Sequence, residues 1–165
     1  MTPSTWETKS VKLPDNVFRA NVGAVVINRE GLVLALERSD IKDAWQLPQG
    51  GLKEGEEPAD AVKRELREET TVEPHQIEAL AELSEWLAYE LPTEQRTRKH
   101  GRGQVQKWFL FRFIGDDSEI DLSRAEAREF SRWRWMKMAD VCQRTVAFRR
   151  PIYERIAREF AAYFA

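Results

Sequence analysis

The sequence predicts an α/β protein in which helices pack on a mixed β-sheet, and three observations carry that prediction. Short β-rich runs and helical runs follow one another in the order β, β, loop, α, β, β, β, α, α. Two segments place apolar residues at helical spacing: Ala59, Val62 and Leu66 in one, Ile152, Ile156, Phe160 and Tyr163 in the other. The 165 residues, 42% hydrophobic and 33% charged, supply one core, with too much apolar material for disorder and too little Gly and Pro for a fibrous chain.

Residues 1–16 are polar, hold Pro3 and Pro14, and read as a flexible leader before a domain spanning 17–165. Asn21 to Asn28 (NVGAVVIN) and Leu32 to Glu37 (LVLALE) are strands, joined by a turn at Arg29-Glu30-Gly31. The polar tract from Arg38 to Ala44 and the run WQLPQGG (Trp45 to Gly51) read as loop, because a Pro and a Gly pair stop regular structure. From Pro58 to about Thr70 the pattern is helical, with Pro in the first turn and Glu56, Glu57 and Asp60 at the positive end. Ile77 to Trp86, Lys107 to Ile114 and Arg132 to Lys137 follow as strands, the first two separated by a Gly- and Arg-rich loop. A short helix covers Met138 to Arg144, and Pro151 opens a last one.

Twenty-six basic residues nearly balance 28 acidic ones, so bulk charge points to neither a DNA coater nor a membrane-surface binder. No apolar run approaches the ~20 residues a membrane span needs, and the start carries no apolar signal region, so the expected location is cytoplasmic. A single cysteine, Cys142, leaves no internal disulfide and no CxxC; with neither His75 nor His100 beside it, a buried structural thiol is the better reading than a Cys/His dyad. Nothing in the sequence fixes an oligomeric state.

The most informative stretch is Gly50 to Val72, GGLKEGEEPADAVKRELREETTV. At ~100° per residue, Glu65, Glu68 and Glu69 share one helix face, beside the apolar stripe of Ala59, Val62 and Leu66. Clustered carboxylates repel, and hard divalent ions such as Mg²⁺ or Mn²⁺ turn that repulsion into attraction while bridging to phosphates. The competing reading is a solvated helix whose glutamates pair with Arg64 and Arg67. Gly50, Gly51 and Gly55 ahead of the helix add close backbone approach and a turn into an anion-attracting N-terminus.

This stretch resembles the Nudix box: Gly, five residues, Glu, seven residues, then Arg-Glu-apolar-x-Glu-Glu-x-Gly-apolar. Gly50, Glu56, Arg64, Glu65, Leu66, Glu68, Glu69 and Val72 stand at the required spacing, and Thr71 replaces the usual Gly. A Gly there would be a left-handed helix cap, so a β-branched Thr is expected to end the helix another way. The resemblance implies an α/β/α sandwich around a mixed sheet and Mg²⁺- or Mn²⁺-dependent hydrolysis of a nucleoside diphosphate linked to another group. It implies Glu65, Glu68 and Glu69 as metal ligands, Glu65 also as general base, Arg64 as orienting a glutamate, and Glu56 and Gly50 as supporting residues. Flanking runs (FRANVG, WQLPQGG, GQVQKWFLF, EFSRWRW, VAFRRPIYERI) are similar to the bacterial RNA pyrophosphohydrolases and dinucleoside polyphosphate hydrolases, with Ala20 and Leu47 as mild departures. In that subgroup the Glu before the WRW strand, here Glu129, adds a metal ligand.

Substrate contacts follow from chemistry and resemblance together. Arg19 and Arg38 are candidates to clamp phosphate oxygens, or plain surface arginines. Phe148 is a candidate base-stacking ring, or core, with Arg149 beside it; Tyr89 and Lys107 are further candidates. The tract Arg96, Arg98, Lys99, His100, Arg102 is a local positive patch or a solvated loop. Trp133 and Trp135 share a strand face and read as core or site wall, while Trp45 and Trp108 pack. The expected substrates are 5′-triphosphorylated RNA or a dinucleoside polyphosphate such as diadenosine tetraphosphate. The alternatives are ADP-ribose, nucleotide sugars or nucleoside triphosphates, and a non-catalytic RNA-binding module.

Overall fold

A computed structural model describes residues 17–97 and 100–165. The expected leader, with Arg98 and Lys99 of the basic tract, lies outside the described residues. Eight strands form one mixed sheet: β1 (Phe18–Ile27), β2 (Val33–Arg38), β3 (Trp45–Gln46), β4 (Gln49–Gly51), β5 (Ile77–Glu82), β6 (Leu87–Glu90), β7 (Gly103–Phe113) and β8 (Phe130–Met136). Three α-helices among the described residues cover it: α1 (Pro58–Thr70), α2 (Met138–Arg144) and α3 (Arg150–Glu159). Among the described residues, no helix is long and apolar enough to cross a membrane.

The centre of the sheet is a parallel ladder of β1 with β7, running from Phe18 opposite Gly103 to Ile27 opposite Arg112. Parallel strands need a long crossover, and α1 lies within it. Both faces of the central strands are covered, which is why β1 is buried without interruption from Asn21 to Ile27 instead of alternating. Val22, Ala24 and Val26 of β1 join Phe109, Phe111 and Phe113 of β7 and Val62 and Leu66 of α1 in one core. Val25 and Ile27 join Trp108, Leu110 and, from α2 and α3, Val141, Ile152, Tyr153 and Ile156 in the other. The layers are therefore helix, sheet, helix, as the resemblance implies. Trp108 lies so close over Gly23 that a Cβ there would sit 2.3 Å from its ring.

Several boundaries differ from expectation. The turn at Arg29-Glu30-Gly31 forms, but β1 and β2 pair only where Ile27 faces Val33, because β4 takes the edge of β1 at Asn21 to Gly23. WQLPQGG is not all loop: β3 and β4 form because β2 and β1 offer open edges. The expected strand Ile77 to Trp86 ends at Glu82, and the region read as loop contains β6, paired with β7 from Leu87 opposite Gln106 to Glu90 opposite Gly103. Strand β7 starts at Gly103 and β8 at Phe130, both earlier than expected. Ala59 is exposed; the buried face of α1 is Ala61, Val62, Leu66, Glu69 and Thr70. Glu69 follows Val62 by seven residues, two helical turns, so it lies within the apolar stripe and not beside it.

Thr71 corrects another expectation. It takes the left-handed conformation (φ 67°) that a glycine would, its N–H reaching the Arg67 carbonyl at 2.9 Å. Its hydroxyl donates to the Glu119 carbonyl at 3.0 Å and accepts from the Asp121 N–H at 3.0 Å. Those two bonds offset the steric cost of a β-branched residue there. Trp133 and Trp135 stack edge-to-face on one another, 5.9 Å between centroids, against the α1-side core. Trp45 and Trp108 are buried, and so is the Cys142 thiol.

Candidate active site

Arg64 organises the carboxylates of α1. Its guanidinium donates to both oxygens of Glu56 (2.8 and 2.9 Å), to Glu65 Oε1 (2.8 Å), to Glu68 Oε2 (3.2 Å) and to the Gly51 carbonyl (2.9 Å). Five contacts match the five N–H donors of a guanidinium. Glu56 also accepts from the Lys53 N–H at 3.0 Å, and Arg64 holds its carboxyl down at about 2. Glu65 is placed against Gly50: an ideal Cβ on that glycine would lie 1.9 Å from the Glu65 carboxyl carbon. Gly50 pairs with Val22 of β1, so the sheet fixes the wall on which Glu65 rests.

Glu69 is 4% exposed and accepts from the Gln49 N–H at 3.2 Å. Burial pushes its carboxyl well above the ordinary range, Glu65 and Glu129 push the same way, and the Gln49 N–H and the Arg149 charge oppose them. Burial also raises Glu65 against the pull of Arg64, with Glu68 and Glu129 adding to the rise. Glu129, exposed at the entry to β8, thus acts on the buried Glu69 and the half-buried Glu65. Among the described residues no three His, Cys, Asp or Glu side chains converge in a metal-holding group, and Arg64 Nη1 bonds to both Glu65 and Glu68. The donor set nevertheless fits a hard divalent cation. Its groups are carboxylates that disfavour one another's charge, one of them buried and another seated on a glycine that leaves room for it.

A second group lies beside this one. Arg38 is held by Asp40 through two contacts of 2.8 Å, and both Arg38 and Arg149 donate to the side-chain oxygen of Gln46, at 3.1 and 3.0 Å. Asp40 raises the basicity of Arg38, and the Glu129 charge acts in the same direction. The Arg149 guanidinium lies 5.1 Å from the Phe148 ring centroid, and Phe148 stacks on Tyr89 at 5.6 Å. The Tyr89 hydroxyl donates to Gln104 at 2.7 Å. Gln104 also accepts from Gln106, which donates to Asn21 and Gln49. A polar network buried between β1, β4 and β7 therefore runs from the aromatic pair to Gln49, whose backbone holds Glu69.

The remaining candidates are spread. Arg19 stands half-buried near the start of β1, its stem against Gly101. Lys107 donates to the Leu83 carbonyl and lies 3.8 Å from Glu82 at the end of β5. Arg96 and Arg102 pair with Glu90 at 3.2 and 2.7 Å, which offsets part of the expected positive patch. Gln46, Gln49, Gln104, Gln106 and Asn21 escaped the sequence reading. Gln104 and Gln106 carried a usable signal, because polar residues at alternate positions of a central strand need buried partners.

A family model described as the NUDIX domain matches residues 17–156. The RNA pyrophosphohydrolase of Cereibacter sphaeroides (strain ATCC 17029 / ATH 2.4.9) is 43% identical over 152 residues, 90% of this chain and 93% of that protein. The chloroplastic Nudix hydrolase 26 of Arabidopsis thaliana is 40% identical over 162 residues, 93% of this chain and 74% of that protein. The Ap4A hydrolase of C. elegans shares the fold, with a TM-score of 0.63 at 20% identity over 87% of this chain and 98% of that one. The glutamates of α1, the glycine on which one of them rests and the match across residues 17–156 lead to one assignment: the chain belongs to the Nudix family.

Proposed function

We propose that this protein is a divalent-metal-dependent pyrophosphohydrolase acting on the polyphosphate at the 5′ end of RNA. The observation that carries the reading is the position of Arg149. Its charge reaches the buried Glu69, its guanidinium shares Gln46 with Arg38, and it lies over the Phe148 ring. Carboxylates for a metal, cations for phosphate oxygens and an aromatic platform for a base are thereby contiguous, and a 5′-terminal nucleotide carrying a polyphosphate needs all three. The name carried by a bacterial relative at 43% identity supports the RNA end as substrate.

In this reading Glu65, Glu68, Glu69 and Glu129 hold Mg²⁺ or Mn²⁺. Such an ion, when bound, neutralises charge developing on the phosphoryl oxygens and lowers the pKa of water. Arg64 fixes the orientation of Glu65, and Glu56 anchors Arg64 from behind. Glu65, raised by burial, is the general base, taking the proton of the attacking water at a carboxylate oxygen. Arg38 and Arg149 bind non-bridging phosphate oxygens, and Phe148 with Tyr89 receives the base. Arg19 and Lys107 supply further contacts, Lys107 after leaving the Leu83 carbonyl.

A second reading, asymmetric cleavage of diadenosine tetraphosphate to ATP and AMP, uses the same Tyr89–Phe148 stack, which suits a free adenosine as well as an RNA terminus. Purified protein in millimolar Mg²⁺ is to be given triphosphorylated RNA and diadenosine tetraphosphate side by side. Faster release of phosphate products from RNA supports the first reading, preference for the dinucleotide the second, and cleavage of neither overturns both. Glu68→Gln should abolish turnover while leaving nucleotide binding largely intact; surviving turnover would remove Glu68 from the metal set.

A further inference from the structure

Gln46 presents one buried amide oxygen to two arginines. Arg38 and Arg149 each donate an Nη1 proton to it, so the two nitrogens can be no more than about 6 Å apart. Like charges at that distance repel, and the one acceptor they share carries no charge. Gln46 is 3% exposed, sits on β3 opposite Leu36, and is followed by Leu47, whose N–H donates to the buried Tyr153 hydroxyl. Arg38 has Asp40 on its far side, on an exposed carboxylate. Arg149 has the face of Phe148, and its buried Nε has no hydrogen-bond partner among the described residues. A carboxylate in place of the amide would form charge-assisted bonds to both guanidiniums and cancel much of their field.

We propose that Gln46 is a positioning residue, a neutral spacer that aims Arg38 and Arg149 at one anionic group of the substrate while leaving their positive charge available to it. The proposal rests on the polyphosphate reading above and adds to it a residue that touches no substrate. Neutrality is the functional property. Glutamate keeps the length and the acceptor but supplies the competing charge, and leucine removes the acceptor and lets the guanidiniums part.

The test is a set of four variants: Gln46→Glu, Gln46→Leu, Arg38→Ala and Arg149→Ala. Each is assayed for KM and kcat and, separately, for binding of inorganic tripolyphosphate by calorimetry without metal. Gln46→Glu should raise KM and weaken tripolyphosphate binding by about tenfold or more, with kcat within about twofold, and Gln46→Leu should show a smaller change of the same kind. A merely structural role would lower the active fraction, hence kcat, with KM and tripolyphosphate affinity unchanged, and that result overturns the proposal. If the arginine variants weaken binding and Gln46→Glu does not, the proposal fails and the arginine clamp stands. If the arginine variants also bind normally, the clamp and Gln46 fail together. Should the wild type cleave neither substrate while Gln46→Glu still loses tripolyphosphate, the role of Gln46 holds and the activity reading fails.

Discussion

Gly50 carries no side chain because the carboxyl group of Glu65 occupies the space one would need. The obstructing atoms are the end of a side chain, not backbone, so Gly50→Ala should fold and displace Glu65 rather than break β4. A misplacement of about 1 Å at a reacting group costs on the order of a hundredfold. Gly50→Ala is therefore expected to lower kcat about 100-fold with a melting temperature close to that of the wild type. Near-normal turnover in steady-state assays would show that Glu65 does not work from this position. The carboxylates themselves were legible in the sequence, since residues three and four apart on a helix share a face whatever the rest of the chain does. The Arg38–Gln46–Arg149 group was not, because its members lie on β2, on β3 and before α3, and only the tertiary fold makes them neighbours.

Among the elements, α1 was the most readable: Pro58 sets its start, Asp60 sits in its first turn, and Val62 and Leu66 mark its inner face. Its end was not readable, because the left-handed turn at Thr71 depends on a loop some fifty residues onward. That dependence is measurable. Thr71→Gly relieves steric cost while losing two hydrogen bonds, whereas Thr71→Ala loses the bonds and keeps much of the cost. Urea denaturation should give a loss of ~1 kcal/mol for Gly and ~2 kcal/mol for Ala. The opposite order would mean that the turn is unstrained. Strands β3, β4 and β6 escaped the sequence for a related reason. Each is two to four residues long and exists only because a longer strand offers it an edge.

At the scale of the whole molecule, the two cores on opposite faces of the sheet hold a site whose acids disfavour one another's charge. A cation that binds only the folded state then stabilises the fold by mass action. At ten times its Kd, Mg²⁺ should add about 1.4 kcal/mol and raise the melting temperature by roughly 4 °C. Glu68→Gln and Glu69→Gln should lose most of that rise, and a wild type whose melting temperature ignores Mg²⁺ would remove the metal from this site. The ladder between β1 and β7 has a further consequence, for the order in which the protein is made. Asn21 and Gln106 bond to each other across 85 residues of chain, so β1 leaves the ribosome long before its parallel partner β7. All of the α1 glutamates are translated before β7, yet the central ladder that anchors the wall beneath Glu65 closes only after it. Long-range parallel pairing of this kind is slow to form. A fragment that stops short of Gly103 carries the glutamates and lacks the central ladder, so it should show no turnover.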